Sequence, residues 1–90
     1  MKTISIYKVN TGTNQFFEGG HEFYCRNLNS VLTLIFQELS LAEYEITKTT
    51  EKRIRAYIKI RKDKETINFS LNDFIKDKEY YINITNINLV

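Results

Sequence analysis

Ninety residues, 42% of them hydrophobic and 27% charged, with a formal net charge of +2, describe a folded chain that can bury one modest core. That size excludes a deep enclosed catalytic chamber, and that charge is too small to mark an obligate nucleic-acid binder or a disordered polyelectrolyte.

In chain order, residues 3–9 alternate, with Ile4 and Ile6 on one face and Thr3, Ser5 and Tyr7 on the other, which predicts a strand. Asn10 to Asn14 then supplies turn chemistry. Between Gln15 and Cys25, Phe16, Phe17, Phe23 and Tyr24 surround Gly19-Gly20, the pattern of a short hairpin. From Leu28 the period changes: Leu28, Leu32, Ile35 and Leu39 recur at helical spacing, with Asn27, Asn29 or Ser30 available as N-cap. Val31, Leu34 and Phe36 widen the apolar side, leaving Thr33, Gln37, Glu38 and Ser40 as its polar remnant.

Three runs then read as a meander: Glu43 to Thr49, Arg53 to Arg61 and Thr66 to Leu71. Parity of the apolar positions requires an odd loop between the first two, and a three-residue loop at Thr49-Thr50-Glu51 would set Glu45 opposite Arg55 and Glu43 opposite Tyr57. The next loop must be even, and Asp63-Lys64 or Lys62 to Glu65 would set Lys59 opposite Asn68, Arg61 opposite Thr66 and Ile58 against Phe69. Ser70 to Lys78 accommodates a helical turn capped by Ser70 or Asn72, with Phe74 and Ile75 tucked inward. In the closing run Tyr80, Ile82 and Ile84 alternate while Ile87 and Leu89 fall out of phase, which a bulge near Thr85-Asn86 would reconcile. The expected fold is α+β, a single domain over residues 1–90. One main helix packs on one face of a four- to five-stranded antiparallel sheet, order β(β)αβββ, with a short helical turn before the last strand.

The feature that looks arranged for an outside partner is the strand expected at Arg53–Arg61. Ile54, Ala56, Ile58 and Ile60 take one side, and Arg53, Arg55, Tyr57, Lys59 and Arg61 take the other, beside Asn68 of the next run. These six are the candidate partner-binding residues, weighed against a plain solvated face whose cations pair with Glu43 and Glu45. His21 and Cys25 lie four apart near Glu18 and Glu22, short of the ligands a zinc site needs and of the third group a triad needs. Gly12, Gly19 and Gly20 form no phosphate-cradling loop. No catalytic, cofactor-binding or metal-binding residue is assigned, no cofactor is expected, and the chain is read as a non-enzyme.

Ile, Asn and Lys supply 30 of the 90 residues, against two Ala and no Pro, the bias of an A/T-rich gene such as that of a low-GC bacterium, its phage or a mobile element. The expected function is a small inhibitor of a host defence nuclease, anti-CRISPR-like, acting by protein–protein contact on a larger host protein or nucleoprotein complex. Because the stripe is basic, such an inhibitor would use the acidic Glu38, Glu43 and Glu45 side, or shape and aromatics, or would hold its partner away from the nucleic acid allosterically. The alternatives are a nucleic-acid binder using Arg53–Arg61 and a structural or assembly subunit, since the edges of a small sheet also admit a homodimer. A lone cysteine, an opening Met1 to Lys8 without the apolar segment of a signal peptide, and a longest apolar-rich run of Val31 to Phe36 predict cytoplasmic residence and no membrane partner.

Overall fold

In the computed structural model, which describes residues 4–89, four strands pair antiparallel in the order β2-β1-β4-β3. They are β1 (Ile4–Gly12), β2 (Glu22–Cys25), β3 (Thr66–Ser70) and β4 (Tyr81–Leu89). Two helices, α1 (Leu28–Leu41) and α2 (Lys48–Ile60), lie between β2 and β3 in sequence, and a 3-10 turn (Leu71–Asp73) precedes β4. The fold is therefore α+β with a four-stranded antiparallel sheet. The expected strand pair at 43–49 and 53–61 is replaced by a turn and a second helix.

The two central strands pair from Ile4↔Leu89 to Gly12↔Tyr81 without interruption, so the bulge expected at Thr85-Asn86 is absent. One face of this ladder carries Tyr7, Val9 and Thr11 from β1 with Ile82, Ile84 and Asn86 from β4, and it is the face the helices cover. Ile6 and Ile87 pair on the other face, so of the two faces of β1 it is the one with Tyr7, not the one with Ile6, that meets the helices. Ile87 is out of phase because the strand turns a polar residue, Asn86, toward the core side, not because it is kinked. The Asn86 Oδ1 atom is buried there without a hydrogen-bond partner among the described residues.

Gly19-Gly20 does not close a hairpin within 15–25. Residues 13–21 form a loop that returns the chain so that β2 pairs with β1, Val9 meeting Phe23 and Tyr7 meeting Cys25. Asn14 organises the loop by accepting from the Phe16 and Glu18 N–H groups, at 2.9 and 3.3 Å. A Cβ on Gly20 would run into the Thr11 carbonyl, so the return passes too close to β1 for any side chain there.

Helix α1 forms as its spacing predicts, with Asn27 Oδ1 accepting from the Ser30 N–H at 2.8 Å as N-cap and Val31, Leu32, Ile35 and Leu39 buried. Glu38, expected on the polar side, is also buried. The helix ends in a reciprocal pair of bonds, Glu43 N–H to Ser40 O at 3.0 Å and Tyr44 N–H to Leu39 O at 2.9 Å, with Glu43 left-handed at φ 64°. This Schellman closure turns the chain directly into α2 and leaves no room for a strand from Glu43.

Helix α2 begins at Thr47, whose Oγ1 accepts from the Thr50 N–H at 3.2 Å. Of the four alternating apolar residues only Ile54 and Ile58, one turn apart, are buried, while Ala56 is exposed and Ile60 is 79% exposed. The alternation that suggested a strand is thus coincidental: a helix resting on two isoleucines can place anything at the positions between. The turn before β4 matches its expectation, with Ser70 Oγ accepting from Asn72 N–H and Asp73 Oδ2 from Ser70 N–H at 3.0 Å.

Because Glu43 occupies the position glycine favours, Glu43→Gly should raise unfolding free energy by about 1 kcal/mol, read as a higher urea midpoint at constant slope. Burial raises the Cys25 thiol above its ordinary value of 9.0 and the Tyr80 phenol above 10.0. Both groups hold their proton more tightly when folded, so stability is complete below pH 9 and declines as pH rises through the folded values. Native Cys25 should accordingly alkylate slowly at pH 8 and at the rate of a free thiol once the chain is unfolded.

Candidate functional site

Charge is the resource this chain distributes least evenly. Eight of its thirteen Lys and Arg residues but only three of its eleven acidic residues fall between Lys48 and Glu65, giving that stretch a net +5 and the remainder −3. Most of the stretch is α2, so the helix decides what its cations can do.

At about 100° per residue the five residues of the expected stripe separate into two flanks. Arg53, Tyr57 and Arg61 follow one another at i, i+4 along the flank facing β3 and the turn before β4. There the Arg61 guanidinium lies over the Tyr57 ring at 3.6 Å and donates from Nη1 to the Tyr57 carbonyl at 3.1 Å. Arg53 lies 5.5 Å from the Phe74 centroid. Tyr57 meets Phe69 and Phe74 edge-on at 5.4 and 5.6 Å, and its hydroxyl donates to the Asn68 carbonyl at 3.2 Å. Tyr57 is therefore a buttress between α2 and β3, not a free stacking platform.

Arg55 occupies the other flank, toward α1, with Nη2 3.1 Å from Glu51 Oε1 and its guanidinium 4.9 Å from the Phe36 centroid. Each cation–π contact of this kind contributes roughly 0.5–2 kcal/mol. All three arginines of α2 and its C-cap are thus engaged with the protein's own aromatic rings. The cross-strand pairs expected for Glu43, Glu45, Lys59 and Arg61 do not exist, because their strands do not. Asn68 sits on the helix-free face of β3, where its side-chain oxygen accepts from Asn83 Nδ2.

Beside the exposed Arg53, what faces outward on α2 is lysine. Lys48, Lys52 and Lys59 are exposed on one line of α2, about 16 Å from first to last, and make no ion pair among the described residues. Lys62 and Lys64 continue the positive charge past the helix end. Of the six candidate residues only Lys59 belongs to this row. Lys48 fell at the end of the strand expected over Glu43 to Thr49 and Lys52 before the one expected at Arg53, so neither joined the stripe, although the Thr47 cap and the Glu51/Arg55 spacing marked a helix start.

Two other places were tested for chemistry. His21 Nδ1 lies 3.1 Å from Glu38 Oε2, close to Tyr80 and Thr11, and His21, Glu38 and Tyr80 with Thr13, Gly19, Leu41 and Ala42 line a cavity of about 220 Å³. The pair ties the 13–21 loop to α1. The hydroxyls beside it are a phenol whose burial keeps it protonated, a Thr11 side chain that accepts from the His21 N–H, and a Thr13 side chain that donates to the Glu18 carbonyl. A second cleft, about 410 Å³, lies between Gln15, Phe17, Asn68, Asp73 and Tyr81, and the Asp73 carboxylate is held by the Ser70 N–H. No cluster of three or more His, Cys, Asp and Glu suited to a metal occurs among the described residues, and no described helix is long and apolar enough to cross a membrane.

Tyr57→Phe should cost about 1 kcal/mol through the bond to Asn68 O, and Tyr57→Ala about 3 kcal/mol through lost packing, whereas Lys59→Glu should stay within about 0.5 kcal/mol. Urea unfolding of the three variants checks this separation of buttress from surface. The chain matches no protein-family model, no curated protein and no solved structure.

Proposed function

We propose that this chain is a small non-enzymatic binding protein that acts by docking on a larger host assembly, with the solvent side of α2 as the contact surface. In this reading it belongs with the anti-CRISPR type of inhibitor that phages and mobile elements direct against host defence nucleases. The observation that supports it is the division of charge: +5 on the stretch from Lys48 to Glu65 against −3 elsewhere, with the lysines outward and unpaired. A charge gradient of that size steers association and fixes orientation at contact, and the fold does not need it for packing.

The earlier alternative, contact through the acidic Glu38, Glu43 and Glu45, loses its strongest member, since Glu38 is only 7% exposed and bonded to His21. Mimicry of nucleic acid is disfavoured by the sign of the α2 charge.

Capture from a low-GC host lysate tests the reading. Wild-type protein should retain a defence-nuclease component, and the Lys48→Glu/Lys52→Glu/Lys59→Glu variant should lose it at an unchanged urea midpoint. Equal retention by both proteins would remove α2 as the contact surface, and absence of any nuclease component would remove the inhibitor assignment.

A further inference from the structure

Resting on the reading of α2 as the contact surface, we infer that its occupant is the sugar–phosphate backbone of a nucleic acid, held without regard to base sequence. Three features on α2 lead there. The first is the identity of the outward cations. Protein–protein interfaces favour arginine and aromatic anchors and are depleted in lysine. Here the arginines of the helix and its C-cap each lie against a ring of the protein itself, Phe74, Phe36 or Tyr57, with Arg53 exposed as well, while the outward row along α2 is Lys48, Lys52 and Lys59. A lysine ammonium is a hydrated point charge on a flexible stem, suited to phosphate oxygens, which need no planar match.

The second feature is spacing. The row extends about 16 Å, and one strand of duplex DNA advances about 3.4 Å per phosphate, so the row faces four or five phosphates. Within the helix no free acidic residue interrupts the row, since Glu51 is taken by Arg55. Past Ile60, Lys62 and Lys64 alternate with Asp63 and Glu65.

The third feature is that no aromatic ring stands in the row. Tyr57, the one aromatic of α2, has a face covered by Arg61, edges against Phe69 and Phe74, and its hydroxyl on Asn68 O. Base stacking and base-edge reading therefore have no platform, which leaves the backbone as the recognised element. The exposed Ala56 and Ile60 beside the row form a pair too small for the apolar centre of a protein interface.

Fluorescence anisotropy with a labelled 20-bp duplex of arbitrary sequence, from 50 to 200 mM salt, tests this. The expected slope of log K against log salt is about −2.7 to −4.5, for three to five lysine–phosphate contacts. Each of Lys48→Ala, Lys52→Ala and Lys59→Ala should make it shallower by about 0.9. Duplexes of unrelated sequence should differ less than threefold, and Lys76→Glu/Lys78→Glu, off α2, should bind as wild type.

Absence of binding by wild type at 50 mM salt, or a slope indifferent to the three substitutions, would overturn the inference. If binding is absent while the triple Lys→Glu variant still loses its host complex, the inference falls but α2 stands as the contact surface, with an acidic protein as its occupant. If neither changes, both fall.

Discussion

The nine uninterrupted pairs between β1 and β4 are the constraint from which the remaining arrangement follows. Side chains alternate across a strand, so an unbroken register commits every second residue of both strands to the helix side, and a slip of one residue would exchange all of them. The register delivers Val9, Ile82 and Ile84 to the core with Thr11, whose hydroxyl is satisfied by the His21 backbone N–H. It also brings Asn86 to the end of that face, where its amide oxygen is buried unpaired. Extending the apolar set by one more residue would have continued the core, and the chain accepts a polar group there instead.

With the sheet fixed, the two helices solve different problems. Helix α1 is apolar enough to be held by burial, with Val31, Leu32, Ile35 and Leu39 fully inside. Helix α2 buries only Ile54 and Ile58, and two isoleucines contribute roughly 3–6 kcal/mol. Its further hold on the sheet comes from its flanks, where Tyr57 bridges to β3 and the arginines lie on rings supplied by α1 and the turn before β4. A helix attached in this way has an outward side under no packing constraint, which is where the lysine row runs.

Those two modes of attachment also explain what the sequence could reveal. Helix α1 was legible because Leu28, Leu32, Ile35 and Leu39 repeat with one period and no competing one. The turn at Leu71–Asp73 was legible because Ser70 and Asp73 form a capping box from local residues alone. Helix α2 was misread because Ile54, Ala56, Ile58 and Ile60 satisfy a period of two, and only tertiary contact distinguishes the buried pair from the exposed one. The core side of β1 was not evident from the alternation alone: it is Tyr7, Val9 and Thr11, two of which look polar, while Ile6 faces away. The candidate site was half visible: the concentration of cations was evident, but sorting those that stack from those that face outward required the helix, and Lys48 and Lys52 lay outside the Arg53–Arg61 stripe.

Along α2 the arginines lie against aromatic rings while Lys48, Lys52 and Lys59 face outward, and the two cation types differ in chemistry. Amines accept acyl groups and lose their charge, whereas guanidinium groups stay protonated and are not nucleophilic at neutral pH. The charge that faces the surroundings can therefore be titrated away, one lysine at a time, while the contacts that seat the helix stay intact. A surface built in this way has its affinity set separately from its fold, so acetylation could weaken its hold in steps without loosening the protein that carries it.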